Sequence, residues 1–233
     1  MNNFNINAYD APALDKQVSQ VMKRVYVKMF LALLVTSFVA WIIGTSHQFL
    51  YFMVTHSWVY WGLMLAELGM VIAISAAINK MSSSVATLLF YLFAIVNGAV
   101  FSIILSVYTA DSIFKTFLIT AGVFGAMSVY GYFTERDLTK MGTFLYMALW
   151  GLIIAIVVNI FWANSTLEWI ISIAGVLIFV GLTAWDTQKI KQMAAQMPNA
   201  TDGRLATLGA LSLYLDFINL FLYLLRFFGN SRD

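Results

Sequence analysis

No cysteine occurs in this sequence, which removes disulfides, thiolate nucleophiles and cysteine-built zinc sites. Histidine is almost missing. His47 and His56 share one short interval between apolar runs and read as solvated loop residues. Proline stands only at Pro12 and Pro198, outside the apolar runs, so no run is broken by one. Charge is scarce: Asp, Glu, Lys and Arg supply 10% of 233 residues, whereas a soluble domain carries about 25%. So few charges cannot cover a core of this size, and most of the surface must face lipid. The net charge of +2 is too small and too dispersed for a nucleic-acid partner. No GxxxxGKS/T, HExxH or GxSxG is present, which leaves out a P-loop ATPase, a zincin and a serine hydrolase. No cofactor is expected.

Hydrophobic residues, at 61%, fall into seven runs long enough to cross a bilayer. They are Lys28–Ser46, Ser57–Ile78, Val85–Tyr108, Ser112–Phe133, Gly142–Ala163, Leu167–Gln188 and Leu208–Phe228. The expectation is one all-α domain over residues 28–233, a seven-helix transmembrane bundle, behind a polar, flexible cytoplasmic tail over residues 1–27. That tail lacks the apolar core and cleavage site of a secretory signal, so the first run should stay as a span. Only Thr109-Ala110-Asp111 joins the third and fourth runs, which predicts antiparallel neighbours. With the N-terminus inside, the inner segments hold ten Lys or Arg (residues 16, 23, 24, 28, 80, 136, 140, 189, 191 and 204). The outer segments hold three, Lys115, Arg226 and Arg232, and this bias predicts a cytoplasmic N-terminus.

Ionisable side chains inside lipid are costly and need partners. Asp186 falls on the sixth run and Asp216 on the seventh, the latter about 12 Å from its start. Ser212, Asp216, Asn219, Tyr223 and Arg226 recur at helical spacing and share one face. Such a stripe suits a helix with lipid around most of its surface and a hydrogen-bonded interior on one side. Ser172, Gly175, Thr183 and Asp186 form a similar stripe on the sixth run. If the two acids face each other, they share a proton or bind a hard cation through oxygen, a weak Ca²⁺ site. Otherwise each bonds separately to neighbouring helices. Glu67 lies mid-span on the second run. Arg226 is its economical partner, about 10 Å away in depth, and a neutral Glu67 is the alternative. Lys80 is a candidate to neutralise the acid pair. Asn97 and Asn159 read as interhelical hydrogen-bond glue, and Ala121, Gly122, Gly125 and Ala126 as a close-packing face. Trp41, Trp58, Trp61, Trp162 and Trp169 lie near run ends, where interface anchoring explains them.

Several segments resemble one family. Gly181-Leu-Thr-Ala-Trp-Asp186-Thr-Gln-Lys-Ile is similar to the sixth-span signature of the Bax inhibitor-1 family, and Leu213-Tyr-Leu-Asp216-Phe-Ile-Asn-Leu-Phe-Leu to its last-span signature. The stretch from Tyr108 through Phe124-Gly-Ala-Met-Ser-Val-Tyr-Gly131 and the segment Arg136-Asp-Leu-Thr match as well. The resemblance runs from about Arg24 to Asn230, and compact bacterial members look most similar. It implies a last helix wrapped by the others and a pH-sensitive, passive Ca²⁺ leak in the bacterial inner membrane. It also implies an aspartate pair, here Asp186 and Asp216, acting as pH sensor on the ion route. Glu67 and Arg226 match a glutamate and an arginine of the family and would form a latch. Some relatives carry an arginine where this chain has Ile78, Asn79 and Lys80. The expected partners are therefore lipid, Ca²⁺ and H⁺. An alternative role is an interaction protein that modulates a membrane protease or a stress response through the N-terminal tail. An intramembrane aspartyl protease is a further alternative, although Asp216 lacks the Gly-x-Gly-Asp context of such enzymes and no Pro-Ala-Leu follows.

Overall fold

The structure is a computed structural model that describes residues 11–196 and 203–230. Among these residues eight α-helices follow in order: α1 (Ala11–Gly44), α2 (His47–Thr55), α3 (Ser57–Ala77), α4 (Ser83–Val107), α5 (Ala110–Phe133), α6 (Thr139–Trp162), α7 (Ser165–Gln196) and α8 (Gly203–Phe228). All but α2 are long and apolar enough to span a membrane, so the chain crosses it seven times. Each expected run falls on one of these helices: three lie wholly inside it, and those ending at Ser46, Ile78, Tyr108 and Ala163 overrun its end by one or two residues. Helix starts are capped where serine or threonine precedes an apolar stretch. Ser82 accepts from the Val85 N–H at the start of α4, and Thr109 from the Ser112 N–H at the start of α5.

The residues assigned to a tail divide. Residues 1–10, with most of the proposed partner contact, lie outside the described residues, as does Pro198. Residues 11–27 are no tail: they are continuous with the first span, and Val18, Val21, Met22 and Val25 are buried. Their spacing of three, one and three makes one apolar face within a polar-looking stretch. The Gln17 amide donates to Ala194 O on α7, tying that face to the bundle.

At the centre stands α8, in contact with α1, α4, α5 and α7. Its most apolar window is 72% buried, against 11% in α3 and α6, which lean on α4 and α7 from outside. The last helix is wrapped by the others, as the family resemblance implies, and the lipid-exposed helix suggested by the polar stripe is corrected. Apolar side chains pack against neighbouring helices as readily as against lipid, so a helix apolar on its other faces is also what a central helix requires. The predicted pairing of the third and fourth runs fails too. Their connection is tight, but α4 and α5 splay apart, and α8 lies between them in contact with both. A short link holds two helix ends together without setting the crossing angle.

The small-residue face of α5 is a further correction. A Cβ added at Gly122 or Gly125 would meet nothing. Close approach occurs instead at Gly131, where a Cβ would collide with the Ala184 backbone of α7. Spacing shows which residues share a face, not what that face meets. The five tryptophans named above are all at least 60% exposed, as anchors at span ends should be.

Candidate functional site

Helices α7 and α8 run side by side, and Asp186 and Asp216 meet across their contact. The two carboxyls stand within hydrogen-bonding reach of each other. Asp186 is 6% exposed and Asp216 4%. The Asp216 Oδ2 has no partner among the described residues, which is unusual for a buried polar atom. Hydroxyls on the sixth-run stripe are spent on their own helix: Ser172 bonds to Glu168 O and Thr183 to Phe179 O. Asn219 likewise turns back to Leu215 O. The acid pair therefore receives little from its own stripes.

A cavity of about 270 Å³ reaches Asp186, the outer member of the pair, from the end of the bundle where α7 stops and α8 begins, and Asp216 lies behind it. Ser75, Tyr146, Asp186, Lys189, Leu205 and Ser212 help to line it. The lysine whose charge acts on both carboxyls is Lys189, with its ammonium 4.6 Å from the centre of the Trp185 ring. Lys80 is exposed on the short turn Ile78–Lys80 and does not line the cavity, so Lys189 replaces it as the neutralising charge. Among the described residues no cluster of three or more His, Cys, Asp and Glu side chains occurs. Any cation at the pair would complete its coordination with water and neutral oxygens.

The Glu67–Arg226 latch does not form. Glu67, half-buried, accepts at Oε1 from Asn97 Nδ2 at 2.9 Å between α3 and α4. Arg226, at the far end of α8, faces Glu168 at 4.0 Å in an exposed contact and lies over the Tyr223 ring. Their separation in depth, already visible from the helical rise, is not closed by side-chain reach. Asn97 is interhelical as expected. Asn159 is not: its Oδ1 accepts from Asn164 N beside the end of α6. The histidines stay away from the acids, with His56 stacked on Phe52 beside α2.

Sequence reasoning missed two polar anchors. Lys28 was read as an orientation charge, yet its ammonium enters the bundle and donates to Thr207 Oγ1 at 2.6 Å, Thr87 Oγ1 at 2.7 Å and Gly203 O at 3.4 Å. Gln188 is buried and clamps the α5–α6 connection, accepting from Leu138 N and donating to Arg136 O, both at 2.8 Å. The segment Arg136-Asp-Leu-Thr is thus a clamped turn, and Asp137 Oδ1 accepts from Thr139 N at the start of α6. The Thr139 hydroxyl first, and then this backbone bond, hold the exposed Asp137 carboxyl below the usual carboxylate range. The one available signal was position: Lys28 and Gln188 each lie at the edge of an apolar run.

Comparison with known proteins gives one consistent answer. The family model described as "Inhibitor of apoptosis-promoting Bax1" matches residues 18–233. The chain is 48% identical over 214 residues to the inner membrane protein YbhL of Escherichia coli strain K12, covering 91% of this chain and 92% of that one. It is 45% identical over 217 residues to a protein of Borreliella burgdorferi, covering 92% and 94%. A protein of Rickettsia prowazekii is 44% identical over 220 residues, covering 94% and 93%.

Proposed function

Because this integral membrane protein belongs to the Bax inhibitor-1 family, we propose that it is a passive, pH-sensitive calcium leak gated by Asp186 and Asp216. The observation that carries this reading is the pair itself: two buried carboxyls from different helices, with one oxygen of Asp216 unpartnered. Two such groups side by side cannot both remain ionised without a cation between them. They hold either a shared proton or a hard cation, so H⁺ and Ca²⁺ compete for the same oxygens. A shared proton ties α7 to α8. Its loss leaves two like charges that favour separation of the helices or occupation by a cation, and the population of closed and open forms shifts accordingly. Calcium takes about six to eight oxygens. A site offering two carboxylates beside a partly polar cavity would bind it weakly, which suits passage rather than storage. On this reading the protein is not an enzyme.

Lys189 on the cavity, and Lys28, Lys191 and Arg204 at the same end of the bundle, support a cytoplasmic N-terminus. Similarity to the inner membrane protein YbhL of Escherichia coli supports the bacterial inner membrane as the location. The test is Ca²⁺ uptake into liposomes containing the purified protein, across a pH series. Wild type should exceed empty liposomes and respond to pH, whereas Asp186→Asn and Asp216→Asn should lose the pH response. Flux equal to empty liposomes would remove the channel reading, and unchanged pH-dependent flux in both variants would remove the role of the pair.

A further inference from the structure

Away from the acid pair, four helices are joined by one chain of side-chain hydrogen bonds. It begins at Glu67 on α3, which accepts from the Asn97 amide on α4 at 2.9 Å. The Asn97 Oδ1 lies 3.0 Å from the Tyr214 hydroxyl on α8, which donates to it. That hydroxyl lies 2.6 Å from Thr36 Oγ1 on α1, and Thr36 lies 2.9 Å from the carbonyl of Ala94. Tyr214 is fully buried, with its ring held edge-on by Phe90 and Phe93. Gly98 lets α1 approach α4 here, since a Cβ would press on Thr36 O.

The chain offers three hydroxyl contacts: Thr36 to Ala94, Thr36 to Tyr214 and Tyr214 to Asn97. Two hydroxyl protons cannot fill three contacts. When Glu67 is ionised, Asn97 must present its N–H₂ to the carboxylate and its oxygen to Tyr214. Tyr214 then donates to Asn97 and Thr36 donates to Tyr214, so Ala94 O receives nothing from Thr36. When Glu67 carries a proton, it can donate to Asn97 Oδ1 after the amide turns over. Asn97 then donates to the Tyr214 oxygen, Tyr214 to Thr36 and Thr36 to Ala94 O. Each arrangement uses both hydroxyl protons and both ends of the Asn97 amide, they differ in whether Ala94 O receives the Thr36 bond, and only rotations of O–H and amide groups separate them. One added proton, on Glu67, is the whole difference.

We infer that Glu67 is a second proton-binding site, and that its occupancy is passed through Asn97 to the Tyr214 hydroxyl on the central helix by reversal of this chain. The titratable groups acting electrostatically with Glu67 are Tyr60, two turns away on α3, and Tyr214 on α8. The contributions of α4 and α1 to the chain, Asn97, Ala94 and Thr36, are uncharged. Tyr214 stands two residues before Asp216 on the same buried helix. The inference does not depend on the proposed leak.

Infrared difference spectroscopy between acid and neutral pH tests it, on the full chain in nanodiscs and in an Asp186→Asn/Asp216→Asn background that silences the other pair. A buried-carboxyl band and a tyrosine C–O–H band should titrate with one midpoint. Glu67→Gln should lose both bands, and Tyr214→Phe only the tyrosine band. In Asn97→Leu the carboxyl band should remain while the tyrosine band stops responding. The relay is overturned if Tyr214 never responds, or if it still responds in Glu67→Gln or Asn97→Leu. Should Asn97→Leu not fold, Tyr214→Phe serves from the other end. Removing the partner of Asn97 should move the Glu67 midpoint, and an unmoved midpoint rejects the inference.

Discussion

Gly131 and Gln188 show how single residues set the position of Asp186. With only hydrogen at Gly131, the α7 backbone at Ala184 lies directly against α5. Gly131→Ala would drive a methyl into that backbone, which has no flexible end to yield. We expect a loss of about 1–3 kcal/mol, seen as a lower unfolding temperature in detergent, together with a weakened pH response of Ca²⁺ flux because α7 shifts. Gln188 lies two residues beyond Asp186 and holds the α5–α6 connection with both ends of its amide. Gln188→Leu keeps the volume but strands Leu138 N and Arg136 O. The expected cost is about 2 kcal/mol, read from the same unfolding curves. Gln188→Glu should retain the bond from Leu138 N but lose the one to Arg136 O, and so fall between the two.

Helix ends carry the next set of expectations. Ala163, just beyond α6, has φ of 44°, the one positive φ outside glycine among the described residues. A side chain there resists the left-handed backbone, whereas glycine accepts it. Ala163→Gly should therefore stabilise the protein by about 1 kcal/mol, measured as a higher unfolding temperature. At the other end of α6, Asp137 holds the first turn through Thr139 N. Its carboxyl lies below the usual range in the folded chain, so its contribution is present above the unfolded value and is lost as pH falls through the folded one. Because Asp137 is exposed, Asp137→Asn should alter acid stability only slightly, and a large change in the acid transition would contradict this account. At the level of elements, all seven spans were legible in hydropathy, because length and apolarity are local properties. The entry turns of α1 were not, because the apolar face of Val18, Val21 and Val25 is diluted by Lys16, Lys23 and Arg24.

For the molecule as a whole, the absence of cysteine becomes an experimental advantage, since any introduced thiol is unique. If the charge bias sets orientation, Lys140→Cys should react with impermeant reagents only from the cytoplasmic side. Asn164→Cys should react only from the opposite side. The reverse pattern would invert the proposed orientation and place the cavity that leads to Asp186 on the outer face. The arrangement around α8 also predicts unequal tolerance. Polar substitutions facing the bundle on α8 should abolish folding, whereas lipid-facing changes on α3 and α6 should shift the unfolding temperature little, because those helices bury least.

Composition and periodicity alone determined that this chain is helical, crosses a bilayer seven times and carries two acids at comparable depth on its last two spans. Those conclusions rest on local quantities: charge density, run length and helical pitch. The tertiary structure decided what each polar face meets. It joined Asp186 to Asp216, put Lys189 rather than Lys80 beside them, gave Glu67 to Asn97 and Tyr214 rather than to Arg226, and buried α8 on nearly all sides. Periodicity tells which residues share a side of a helix. It carries no information about crossing angles, and crossing angles choose the neighbour.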